Sequence, residues 1–154
     1  MQTKRKNISV RMSAWEQKRV REIAERLGVK ESDMIRYSIS NTLGKLMPFH
    51  DRSYKGASLM PAVLDSAEEL LRYFHLDAEQ LNKIINDGVD DPHKRVAEED
   101  LEMLVLGHFN EQYIQQRLAE LCDGPVDGRQ IHQALRDYLV RKYISATSQP
   151  LTTA

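Results

Sequence analysis

Cysteine is almost absent. Cys122 is the only one in 154 residues, so no internal disulfide can staple the fold in the way small secreted domains require. Long apolar runs are missing as well. The longest, "MLVL" at residues 103–106, falls far short of the ~20 residues that a membrane-spanning helix needs. No apolar stretch follows the basic N-terminus, as a secretory signal would demand. These absences lead to the expectation of a cytoplasmic protein.

The patterns of metal and catalytic chemistry are missing too. The five histidines are His50, His75, His93, His108 and His132. No two are one residue apart, and no two stand at i, i+4. His108 and Cys122 alone are too few for a ligand set. There is no Gly-rich phosphate loop, no nucleophile motif and no H-E-x-x-H. The expectation is a protein that is not an enzyme and needs no metal or cofactor.

What is present begins with charge. Residues 1–56 hold 13 Lys/Arg against 6 Asp/Glu, a balance of +7, whereas residues 57–154 hold 9 against 17, a balance of −8. The net charge of −1 hides this division. A basic head favours phosphate and an acidic remainder does not, so the two parts are expected to meet different partners. The acidic runs "EED" and "DD" are expected to be solvated faces. Hydrophobic residues at 41% are enough for a packed core.

Along the chain, residues 7–12 alternate. Asn7, Ser9 and Arg11 would share one face of a strand, and Ile8, Val10 and Met12 the other. Ser13 and Glu16 form the S-x-x-E capping box that opens a helix, and Gly28 is placed to end it. A second helix carries Met34, Ile35, Ile39, Thr42, Leu43 and Leu46, with Pro48 marking its end. Residues 48–60 have no period and are expected to be a linker. Beyond them the period is helical throughout. Asp77 with Gln80, and Asp127 with Gln130, repeat the capping signature, while Asp91 and Pro92 suit an N-cap and first helical position. Leu101, Leu104, Val105, Phe109, Tyr113, Leu118 and Leu121 continue one apolar series, which Gly107 is placed to divide.

A lone strand leaves unpaired N–H and C=O groups on both edges. A second copy of the chain across a two-fold axis is the simplest partner, and a two-stranded ribbon fits the major groove of DNA. Residues 4–46 resemble a ribbon-helix-helix domain of the Arc/MetJ/CopG kind, with the match in "NISVRMSAWEQKRVREIAERLGVKESDMIRYSISNTL". The resemblance rests on the alternating "ISVRMS", the helix end "IAERLGV" and the opening "GVKESDMIR". It implies an obligate dimer bound to double-stranded DNA through the major groove. Asn7, Ser9 and Arg11 would then read bases, and Lys4, Arg5, Lys6, Lys30, Glu31 and Ser32 would lie on the DNA backbone. Ile8, Val10, Met12, Ile35 and Ile39 would form the dimer core. The family often has Ser or Thr where this chain has Lys30, which cannot cap the second helix; Ser32 and Asp33 both stay open as the cap.

The fold expected is therefore mostly α: a ribbon-helix-helix unit at residues 1–47, the linker at 48–60, an all-α domain of about four to five helices at 61–146, and a disordered tail at 147–154. The function expected is a homodimeric, sequence-specific transcriptional regulator. An accessory DNA-binding protein of plasmid transfer or partition, or the antitoxin of a toxin-antitoxin pair, is the alternative. The acidic domain would bring higher oligomers such as a tetramer, an effector, or another protein partner.

Overall fold

Side-chain acceptors placed by the sequence start several of the helices. The computed structural model describes residues 6–107 and 109–148. The chain divides into two units, Met1–Gly44 and Lys45–Ala154.

In the first unit, helix α1 spans Ala14–Leu27 and helix α2 starts at Glu31, running to His50. Ser13 Oγ accepts from the Glu16 N–H at 3.2 Å, and Glu16 Oε2 accepts from the Ser13 N–H at 2.7 Å. Gly28 ends α1 in the left-handed region at φ 68°, where its N–H reaches the Glu25 carbonyl and the Val29 N–H reaches that of Ala24. This is the glycine-dependent Schellman arrangement. Helix α2 passes Pro48 and ends two residues later. A proline so close to the C-terminal end costs only one of the last hydrogen bonds.

The expected strand is not formed. Residues 6–12 have no regular secondary structure, and no strand or sheet occurs among the described residues. The mostly α part of the expectation agrees with the structure; the ribbon is overturned. A strand is made by ladder hydrogen bonds to a neighbour, and alternation of side chains supplies none. Among the described residues, no second segment forms a ladder with residues 6–12.

The second unit is built from α3 (Met60–Phe74), α4 (Ala78–Asn86), α5 (Glu98–Leu106), α6 (Glu111–Leu121) and α7 (Ile131–Leu139). A π-helical turn, Val140–Ile144, continues α7. Helix α5 packs on α4, α6 and α7, and α6 packs on α7. Met60, Ile85, Leu101, Ile114, Leu118 and Leu139 fill the centre with essentially no exposed surface. Asp77 and Gln80 cap α4 reciprocally, as their spacing indicated. Asp91 and Asp127 cap only short 3-10 turns, Pro92–Lys94 and Gly128–Gln130.

Residues 48–60, expected to be a linker, contain the end of α2, a turn and the 3-10 helix Gly56–Leu59, and Gly56 and Leu59 are buried. Residues 50–55 are exposed, and the 3-10 turn that follows has no 3.6-residue period. Gly56 has φ +59°, and a Cβ there would collide with the Lys94 carbonyl. Buried Asn86 holds the neighbouring loop from both sides: its Nδ2 donates to the Val96 carbonyl at 2.8 Å, and its Oδ1 accepts from the Val96 N–H at 2.9 Å.

One acidic run is not wholly solvated. Glu98 and Glu99 are exposed, but Asp100 is 2% exposed. Its carboxylate accepts from Lys142 Nζ at 2.7 Å, from Tyr138 OH at 3.1 Å and from Tyr143 OH. Tyr143 OH also accepts from the Ala97 N–H at 3.0 Å, satisfying a donor just before α5. The cluster ties the start of α5 to the end of the chain's last long helix. Buried charge is tolerated because both carboxylate oxygens have donors and one donor is a cation.

Candidate nucleic-acid interface

The residues expected to touch DNA stand on the basic first unit. Lys4 and Arg5 lie outside the described residues. Lys6, Asn7, Ser9 and Arg11 are all exposed, on the irregular segment that precedes α1. The capping box at Ser13 sets where this segment leaves the helix, and Gln17 Nε2 reaches the Met12 carbonyl at 3.4 Å. Glu16 has its carboxyl held below the usual carboxylate value, first by the Ser13 backbone N–H and then by the Ser13 hydroxyl.

The apolar partners of the alternation are no more covered than the polar ones. Ile8 is 85% exposed and Val10 is 67% exposed; Met12 is half-buried. Within the single chain, residues 8, 10 and 12 therefore make no core. Ile35 is half-buried and Ile39 is exposed.

The second helix begins with Lys30 in the cap position. Its carbonyl accepts from the N–H groups of Asp33 and Met34, each at 3.0 Å. Ser32 and Asp33, both open as caps from the sequence, lie inside the first turn instead. The first N–H groups of a helix lack intrahelical acceptors and carry the positive end of its dipole. Lys30 thus stands beside a partial positive charge. Glu31, expected on the DNA backbone, binds Arg21 at 3.1 Å and joins α1 to α2.

The cations of this unit fall into two groups. Lys18 and Arg19 pair with Glu22, Arg21 with Glu31, and Arg36 with Asp33. Among the described residues, no ion pair is formed by Lys6, Arg11, Arg26 or Lys30. Three of these four are positions that the sequence pointed to. Arg26 was missed, although a basic residue in the last turn of a helix is a readable signal. The Arg19 guanidinium also lies 5.7 Å from the Trp15 ring centroid, a pairing at i, i+4 that spacing alone allows.

A second property of the unit is its missing core. In α1 only Ala24 is buried, and in the 20-residue α2 nothing is. Trp15, Leu27, Tyr37, Ile39 and Leu43 are exposed. Ile35, Ile39 and Leu43 recur every four residues, one row on α2. So short a unit is marginal even with a good core, and this one has almost none.

Among the described residues, no group of three or more His, Cys, Asp or Glu side chains is placed to hold a metal; His108 is outside them. No helix of the described residues is long and apolar enough to cross a membrane. No protein-family model, no curated protein and no solved structure matches this chain.

Proposed function

We propose that the chain is a dimeric, sequence-specific DNA-binding protein of the cytoplasm that regulates transcription. One observation carries the reading: unpaired cations and an uncovered apolar row occur together on the same small unit. Lys6, Arg11 and Lys30 are exposed and have no ion pair among the described residues. Ile35, Ile39 and Leu43 run beside them in the sequence with no burial beyond half. A second copy covers the apolar row, which supplies the core that one copy lacks. Dimerisation also doubles the basic segment.

In this reading residues 6–12 act as an extended basic arm. Arg11 suits guanine O6 and N7, Asn7 suits adenine N6 and N7, and Ser9 accepts or donates to either. Lys6 and Lys30 neutralise phosphates, and the N-terminal end of α2 adds its dipole. The pairing of Arg21 with Glu31 fixes the start of α2 relative to α1, which sets the position of Lys30.

Mapping of the DNA sites occupied in cells tests the reading. A short, recurring, two-fold related sequence is the expected result. Uniform occupancy, or none, would refute sequence-specific binding and favour a helical protein-binding adaptor.

A further inference from the structure

The acidic unit carries a surface that the DNA reading does not use. The last turn of α3 and the end of α5 frame a cleft of about 590 Å³. Leu71, Leu76 and Val105 line it, and Phe109 stands at its edge. Phe109 is 84% exposed, an apolar ring in water beside an apolar hollow. Two more aromatic rings, Tyr73 and Phe74, are exposed on the same turn of α3, in edge-to-face contact at 5.1 Å. Aromatic and arginine side chains gathered on an open surface are the composition of a protein interface.

The rim decides the occupant. It carries Glu68 and Asp77 together with Arg72 and His75. Among the described residues, Glu68, Arg72 and Asp77 form no ion pair. A ligand of one charge would meet a like charge on this rim. A second copy related by a two-fold axis meets the opposite order, with Arg72 set against the partner's Glu68 or the partner's Asp77. Knob and hollow on one surface satisfy the same symmetry.

We propose that this cleft is a self-association surface, in which two copies exchange Phe109 rings, each seated against the other's Leu71, Leu76 and Val105. The interface stands apart from the N-terminal dimer; only the expected count of four protomers rests on that dimer. Two separate two-fold contacts per chain, closing on one another, build a dimer of dimers, which presents two DNA-binding heads.

Sedimentation equilibrium of the full chain separates the two contacts, using Phe109→Ser in the cleft and Leu43→Asp on α2, alone and together. Both side chains are exposed, and circular dichroism confirms that helix content is retained. The expected masses are four protomers for wild type, two for each single variant and one for the double. If only the cleft associates, wild type and Leu43→Asp give two and Phe109→Ser gives one, which supports this proposal and refutes the N-terminal dimer. If only the N-terminal unit associates, wild type and Phe109→Ser give two and Leu43→Asp gives one, which overturns this proposal. Arg72→Glu should lower the mass as Phe109→Ser does, and adding Glu68→Arg should restore it. Failure of that exchange would overturn the two-fold arrangement. Equal masses for wild type and Phe109→Ser, with an apolar fluorescent dye (anilinonaphthalene sulfonate) bound by the first and not the second, would assign the cleft to a small molecule instead and overturn it too.

Discussion

Replacement of Tyr143 by phenylalanine isolates the Asp100 cluster, because it removes one oxygen and keeps the packed ring. That oxygen serves a buried carboxylate and a half-buried backbone donor. It donates to the Asp100 carboxylate and accepts from the Ala97 N–H at 3.0 Å. A hydrogen bond to a charged group contributes about 1.5–3 kcal/mol, and a buried donor left without an acceptor costs about 1–3 kcal/mol. Asp100 keeps Lys142 and Tyr138, so the carboxylate stays compensated and the lower ends apply. The expected loss is about 2.5 kcal/mol in urea denaturation at neutral pH. The same variant alters the alkaline limb. Burial, and then the hydrogen bond to Asp100, push the Tyr143 hydroxyl up to about 12 from 10.0. The unfolded chain therefore releases this proton first as pH rises. The stabilisation is complete below about pH 10 and is lost as pH climbs through about 12. Lys142 shifts in the same direction: burial works to lower it, but its bonds to Asp100 and Tyr138 outweigh that. Tyr143→Phe should lose stability at neutral pH and fall less steeply above pH 10. A change below about 0.5 kcal/mol, the size expected for an exposed surface substitution, with an unaltered alkaline slope, would refute the account of the cluster.

Three further outcomes are expected. Gly56→Ala places a Cβ at φ +59° against the Lys94 carbonyl and should destabilise by about 2–4 kcal/mol from left-handed strain and overpacking; a thermal melt unchanged from wild type would contradict that packing. Ser13→Ala removes the capping hydroxyl and should lower the helix content of the N-terminal unit by circular dichroism. Because Glu16 is held below its ordinary value of 4.5, the box contributes above that pH and fades as pH falls through the lowered value, so the acid sensitivity of this helix should be blunted in the variant. Lys30→Ala should flatten the salt dependence of DNA affinity by about one unit of log–log slope while leaving the preferred sequence unchanged; an unaltered slope would remove Lys30 from the phosphate contacts.

Local chemistry was readable, and long-range geometry was not. The boxes at Ser13–Glu16 and Asp77–Gln80 form as their spacing indicated because donor and acceptor lie within one turn. The alternation of residues 7–12 was equally visible, yet a strand depends on hydrogen bonds that no other segment among the described residues gives. Asp100 looked solvated in an acidic run because its partners Tyr138, Lys142 and Tyr143 lie about forty residues later. Phe109 read as the continuation of an apolar series. Helix α5 ends at Leu106 and α6 starts at Glu111, so the helical phase is lost between them and the ring faces water. The exposed cations Lys6, Arg11 and Lys30 were found from sequence. What marks them off, the pairing of their neighbours with Glu22, Glu31 and Asp33, needed the structure.

The central claim is that the basic N-terminal arm reads DNA sequence, and Arg11→Ala tests it most directly. Affinity for the mapped site and for sites altered one base pair at a time is measured for wild type and variant at one salt concentration. A loss of about 1–3 kcal/mol concentrated at a single base pair, with discrimination relaxed there alone, is the predicted result. Unchanged affinity and unchanged discrimination at every position would contradict it.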